Sequence, residues 1–277
     1  METVVVTGGN RGIGHAVARE LALRGCRVVL HARDRARGER ALDELRGVGP
    51  GEVSLVTGDL STKRGIRATA DAILAACPRI DVLIHNAGLW PSERILNEDG
   101  LEMAFVVNHL APFLLNHLLE ARLVEGRSRV VQVSAGLYVK GRPDLEKTPT
   151  GEDFHPLGTY PTTKLCNLLL VPRFAARWRD RGPTILALHP GVIRTGLGDR
   201  KGMLGRLLRV VKRLWKSPAE GAQPVVKLAL DPAFEGVTGK YHHLDVETPL
   251  HPVAQNEALA AGLWAQAQRL SGLDEAG

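Results

Sequence analysis

Seven short, largely β-branched apolar runs alternate along the chain with longer stretches in which apolar positions recur every three to four residues. The runs at 3–7, 27–31, 53–57, 82–85, 129–133, 184–189 and 240–244 predict strands. The stretches at 13–24, 35–46, 65–76, 101–119 and 162–179 predict helices. Strands that are apolar almost throughout are buried on both faces, which calls for a parallel sheet covered by helices on each side. Right-handed crossovers then wind such units into a doubly wound α/β fold with seven parallel strands. No repeat or long linker divides the pattern, so residues 1–277 are expected to form a single domain. Two segments interrupt the rhythm. Residues 140–159 are rich in Gly, Pro and Thr and read as a loop, and 196–217 form an insertion after the sixth strand with a helical pattern of its own.

Composition narrows the class of protein. The chain is 44% hydrophobic and 24% charged, as in ordinary globular domains. No apolar run approaches the roughly 18 to 20 residues of a membrane-spanning helix. A core strand at 3–7 leaves no room for a cleaved signal peptide. The three cysteines, Cys26, Cys77 and Cys166, are odd in number, far apart and free of metal-ligand spacing. They imply neither a disulfide framework nor a metal site, and favour a reducing, cytoplasmic setting. The net charge of +6 first suggests a nucleic-acid partner. However, residues 200–216 alone carry seven cations and no acid, so the rest of the chain is close to neutral. Basicity confined to one segment argues against nucleic-acid binding.

The first strand runs into Thr7-Gly8-Gly9-Asn10-Arg11-Gly12-Ile13-Gly14 and then a helix. Glycines there let backbone N–H groups approach a pyrophosphate, and a helix N-terminus favours negative charge. Further along come Asp59-Leu60, Asn86-Ala87-Gly88, Asn108, Tyr160-xxx-Lys164, and Pro190-Gly191-Val192 with Thr195. Each alone has a plainer reading: the glycines as a tight turn, the Tyr–Lys pair as helix surface, Thr195 as a loop cap. As an ordered set they resemble the classical short-chain dehydrogenase/reductase superfamily. The stretches beginning at His31, Phe105 and Ser217 resemble its retinol-dehydrogenase-like branch. The resemblance implies a Rossmann fold and a nicotinamide dinucleotide held by the motif residues named above, with Thr195 on the carboxamide. It also implies transfer of the 4-pro-S hydride, with Asn108, Tyr160, Lys164 and a serine as the catalytic set.

Cofactor choice turns on the tip of the second strand, where an acid would hold ribose hydroxyls and repel a 2′-phosphate. Here His31-Ala32-Arg33 stands there, with Arg11 in the glycine loop, and two guanidiniums suit a phosphate. Asp34 is the objection. It reads either as a ribose ligand or as the N-cap of the following helix, and the cap is preferred. NADP(H) is therefore expected over NAD(H).

Tyr160 and Lys164 are four residues apart on a helix and share a face. A phenol titrates near pH 10, too high for a neutral-pH base. A cation about 4 Å away would favour the phenolate by roughly 4 kcal/mol at an effective dielectric of 20. Asn108, polar in an apolar helix, reads either as a buried amide bonded to backbone or, by resemblance, as the support of a proton-relay water. One position departs from the family pattern. A serine pair should follow the fifth strand, its second member polarising the substrate carbonyl, but the chain has Ser134-Ala135-Gly136. Ser134 either takes over the role or only bonds backbone.

Residues 202–215 interleave apolar side chains with cations, as an amphipathic helix does. It reads as a surface helix, as a lid over an apolar substrate, or as a contact with an anionic membrane surface. The expected function is NADP(H)-dependent interconversion of a carbonyl and an alcohol on a lipophilic small molecule. The rivals are a non-redox step on the same fold, suggested by Ala135, and a non-catalytic nucleotide sensor.

Overall fold

A computed structural model describes residues 1–194 and 215–273 of the chain. The valine-rich N-terminal run forms β1 (Thr3–Val6), buried at every position. It lies in the middle of one sheet beside β2 (Arg27–Ala32), β3 (Val53–Thr57), β4 (Val82–His85), β5 (Arg129–Val133), β6 (Thr184–His189) and β7 (Lys240–His243). The spatial order is β3-β2-β1-β4-β5-β6-β7-β8, and the first seven strands run parallel. The sheet therefore has eight strands, one more than the sequence pattern indicates. The eighth, β8 (Val246–Glu247), is a two-residue antiparallel return on β7. Both of its residues are exposed, so it leaves no apolar signature, and Leu244 turns the chain at φ 59°.

Alternate strand residues build two cores. Val5, Val29, Leu83, Val130 and Ala187 face one side, and Val4, Val28, Leu30, Ile84 and Leu188 the other. The second side is covered by α1 (Gly12–Leu23), α2 (Arg35–Leu45) and a helix absent from the sequence reading, α8 (Pro218–Leu230), which packs on α1. The first side is covered by α3 (Lys63–Ala76), the helical stretch at 103–126, α7 (Thr159–Arg177) and a second unpredicted helix, α9 (Glu257–Ser271). Trp264 of α9 packs against Phe113 and Phe174, with ring centroids 5.1 and 4.8 Å away.

The predicted helix at 101–119 is segmented. It begins as α4 (Met103–Phe105), capped by Glu102, opens into a π turn at Val106–Leu110, and resumes as α5 (Ala111–Leu118), followed by α6 (Glu120–Gly126). π turns cost regular hydrogen bonding and recur at functional positions; this one is centred on Asn108. Residues 141–158 contain no helix or strand, as their composition implies. No described helix is long and apolar enough to cross a membrane. Thr195 and residues 196–214 of the insertion lie outside the described residues. Its flanks are pinned together, since Arg194 N donates to Lys216 O (2.8 Å) and Lys216 N to Val192 O (3.2 Å).

Candidate active site

β1 has β2 on one side and β4 on the other, so successive crossovers diverge there and leave a crevice at the carboxyl ends of the strands. A cleft of about 600 Å³ occupies it. At one end lie Gly8, Asn10, Arg11, Gly12, Ile13, Arg33, Asp59 and Leu60; at the other, Ser134, Tyr160, Lys164, Pro190, Gly191 and Val192, with Asn86, Ala87 and Gly88 also in its lining.

The glycine loop is shaped by contacts that admit no side chain. Gly8 has φ +64°, and a Cβ on it would stand 2.9 Å from Ala87 Cα. A Cβ on Gly14 would fall 2.3 Å from Asn86 Nδ2. Gly14 thus packs behind the loop rather than in the cleft lining. Thr7 and Asn86 sew the β1 and β4 loops together. Thr7 Oγ1 accepts from Asn86 N (3.0 Å) and Ala87 N (3.1 Å), while Asn86 Nδ2 donates to the carbonyls of Thr7 (3.0 Å) and Gly8 (3.1 Å). The α1 N-terminus carries no side-chain cap, whereas α2, α3, α8 and α9 are capped by Asp34, Thr62, Ser217 and Asn256. An uncapped helix start opening on a cleft beside Arg11 has free N–H groups to offer an anion.

His31 performs a task that its sequence context does not announce. Its Nδ1 accepts from Gly8 N (3.3 Å) and its Nε2 donates to Gly58 O (3.1 Å), so one imidazole fixes the glycine loop to the β3–α3 turn. Burial lowers its pKa to about 4, which keeps it neutral and able to accept. Asp34 Oδ1 accepts from Arg37 N (2.8 Å), the N-cap role expected of it. Arg11 and Arg33 are both exposed at the cleft rim, with Arg37 beside them in the lining.

At the other end α7 brings Tyr160 and Lys164 into the cleft together, both almost wholly buried. The electrostatics differ from the sequence expectation. Lys164 Nζ donates to Val133 O (2.9 Å) and stands 5.7 Å from the Tyr160 ring centroid. Burial pushes the Tyr160 phenol up and brings the Lys164 ammonium down to about 8. Desolvation of the phenolate outweighs the attraction of an ammonium directed at a carbonyl. Tyr160 is therefore held protonated. Its ring stacks on Trp90, centroids 4.5 Å apart and planes within 6°, and Trp90 Nε1 donates to Pro156 O (2.8 Å).

Asn108 is fully buried in the π turn. Its Oδ1 accepts from Leu89 N (2.7 Å), and its Nδ2 donates to Leu89 O (2.9 Å) and Thr163 Oγ1 (2.8 Å). The side chain bonds backbone, one of the two readings open to it, and ties the Asn86-Ala87-Gly88 segment to α7. Ser134 N donates to Leu188 O (2.7 Å), but its buried Oγ has no partner among the described residues. Ala135 lines the cleft beside it. Trp215, the last residue of the 202–215 segment, is in the lining, and two further lining residues went unmarked as site residues in the sequence: Trp90 and His189. Their signals were an aromatic directly after Asn86-Ala87-Gly88-Leu89 and a histidine directly before Pro190-Gly191. Among the described residues no cluster of three or more His, Cys, Asp or Glu side chains could hold a metal ion.

Comparisons with known proteins agree with this geometry. The family model for short chain dehydrogenase matches residues 2–202. Mouse (Mus musculus) retinol dehydrogenase 14 is 39% identical over 280 residues, covering 95% of this chain and 84% of its own. Dehydrogenase/reductase SDR family member 13 of Bos taurus is 39% identical, covering 98% of this chain and 73% of its own. Among solved structures, an uncharacterised protein from Mycobacterium paratuberculosis superposes with a TM-score of 0.76 at 30% identity, over 98% of this chain and 94% of its own. A protein described as an NAD(P)-dependent gluconate 5-dehydrogenase from Beutenbergia cavernae, with NADP bound, gives 0.69 at 26% identity over 88% and 95%.

Proposed function

The chain belongs to the short-chain dehydrogenase/reductase family of oxidoreductases, on its retinol-dehydrogenase-like branch, and from that premise we propose that it uses NADP(H) to interconvert a carbonyl and an alcohol on a lipophilic small molecule. The observation that carries the reading is one cleft with an uncapped glycine-loop helix and two arginines at one end, and a buried Tyr160–Lys164 pair at the other. The residues present fit a nicotinamide dinucleotide phosphate. Gly8, Asn10, Gly12 and Ile13 would cradle the pyrophosphate and Arg11 and Arg33 the 2′-phosphate. Asp59 and Leu60 would flank the adenine, and Asn86–Gly88, Lys164 and Pro190–Val192 the nicotinamide half. Asp34 Oδ1 caps α2, which supports reading this acid as a helix cap rather than as a ribose ligand.

The bound nicotinamide supplies or accepts the hydride. Tyr160, kept protonated by burial, donates its phenolic proton to the substrate oxygen in the reductive direction. Lys164 orients this end through Val133 O and adds positive charge beside the phenol, opposing the negative charge left on it. Leu89, Trp90, Val107, Leu137, Ile193 and Trp215 give the substrate side of the cleft an apolar wall. Such a wall favours a lipophilic substrate and excludes water from the transfer. The relative named retinol dehydrogenase 14 supports that class of substrate.

Ala135 favours a rival, a non-redox step such as dehydration on the same scaffold. The experiment that separates them is carbonyl-dependent NADPH oxidation across a panel of lipophilic aldehydes and ketones. Oxidation matched mole for mole by alcohol supports the redox reading; conversion of substrate without NADPH oxidation supports the rival.

A further inference from the structure

The hydroxyl that Ala135 lacks leaves a question about what receives the substrate oxygen opposite Tyr160. β5 and β6 are paired so that Val133 stands beside Leu188, and Ser134 N donates to Leu188 O. Ser134, the first residue after β5, and His189, the last residue of β6, therefore stand at neighbouring strand ends. They share parity with Val130, Ile185 and Ala187, which face the α7 side. Both line the cleft that contains Tyr160.

Both are also incompletely satisfied. Ser134 is 4% exposed, and among the described residues its Oγ has no partner and His189 Nδ1 is buried without one. Of the buried side-chain atoms without partners among the described residues, these two belong to residues that line the cleft, where a bound molecule can complete them. The His189 ring has been given room, since a Cβ on Gly136 would come within 3.1 Å of its Cδ2. His243 lies edge-on to it, centroids 5.3 Å apart. Burial and this neighbour lower its pKa to about 4, so it is a neutral imidazole at neutral pH, with one N–H to donate. Lys164 spends one of its three N–H donors on Val133 O.

We propose that Ser134 and His189 together receive the reacting oxygen of the substrate, in place of the hydroxyl missing at Ala135. This assignment rests on the carbonyl/alcohol reading. In reduction the hydride goes to the carbonyl carbon and the Tyr160 proton to its oxygen, while Ser134 and His189 only donate hydrogen bonds and emerge unchanged. Sharing the task between two neighbouring strand ends explains how the chain tolerates alanine where a serine is expected.

The test uses benzylideneacetone, a lipophilic conjugated ketone, with the full-length protein. Its binding to the NADP⁺ complex is read by quenching of tryptophan fluorescence, and its reduction by NADPH oxidation. His189→Leu should weaken ketone binding about tenfold and lower kcat/KM about thirtyfold, leaving NADP⁺ affinity within about twofold. Ser134→Ala should behave similarly. His189→Gln, which keeps an N–H donor, should retain about a third of parental kcat/KM. Ala135→Ser should change the parent less than about threefold yet recover about tenfold in the His189→Leu background, because a donor is then restored on the same oxygen. Parental binding and turnover in His189→Leu would overturn the assignment while leaving the redox reading intact. So would a loss shared equally by NADP⁺ affinity and thermal stability that neither His189→Gln nor Ala135→Ser relieves. A parent protein that neither binds nor reduces the ketone, nor any other member of the panel, would defeat the redox reading and this assignment with it.

Discussion

The two ends of the cleft are held in opposite ways. At the glycine-loop end, Thr7, His31 and Asn86 engage neighbouring backbone groups on both sides, and the loop is locked between β1, β3 and β4. At the tyrosine end, a protonated phenol, a lysine of lowered pKa, and two polar atoms without partners among the described residues are buried together. A binding surface for an invariant phosphate group gains from rigidity, because little ordering is then left to be done on binding. A site for chemistry needs groups whose most favourable partners arrive with the transition state. The difference predicts that substitutions at the first end change affinity, and those at the second change turnover.

Tyr160→Phe is the largest break expected. It removes only the transferable proton, so turnover should fall by about 10² or more while NADPH affinity stays within about twofold. Single-turnover oxidation of NADPH beside equilibrium titration checks both halves. Lys164→Ala should damage both, because Lys164 lies at both tasks. Arg33→Ala tests the other end: it should weaken NADPH by about 1–3 kcal/mol and leave NADH almost unchanged. Equal parental affinities for the two cofactors would remove Arg11 and Arg33 from the account.

The pH profile sharpens the contrast. Burial lowers the Lys164 pKa to about 8, so its charged form is fully present below that value and is lost as pH rises through it. NADPH-linked reduction should decline across the same window, and a profile flat to pH 10 would contradict the role given to the ammonium. The smallest effect is reserved for His31→Ala, which leaves Gly8 N–H and Gly58 O without their side-chain partner. A stability loss of about 1–3 kcal/mol follows, with a weaker cofactor and unchanged chemistry. Thermal unfolding and NADPH titration measure it.

These contrasts also explain what could be read in advance. The parallel sheet was legible because β-branched runs such as Val4-Val5-Val6 and Val28-Val29-Leu30 carry their burial in their composition. The glycine loop, Tyr160 and Lys164 were legible because backbone approach and proton transfer each demand particular residue types at fixed spacing. β8 is too short and exposed to leave a pattern. α8 begins at Pro218 and carries Pro224 inside it, which obscures its periodicity. The Trp90–Tyr160 stack, the His31 bridge and the Ser134–His189 neighbourhood arise from pairings between distant segments, which no local spacing encodes. For the same reason the rise in the Tyr160 pKa was not legible: helix spacing gives a shared face, but the burial that opposes the phenolate and the Val133 carbonyl that engages the ammonium come from distant segments.

The central claim is that this cleft passes hydride from a nicotinamide to a carbonyl carbon, and isotopic labelling tests it most directly. NADPH carrying deuterium at the pro-S position of the nicotinamide would be incubated with the protein and a lipophilic ketone. The account predicts an alcohol bearing one deuterium on the former carbonyl carbon and an oxidised cofactor without it. An unlabelled product, or a cofactor that keeps its deuterium while substrate is consumed, would contradict it.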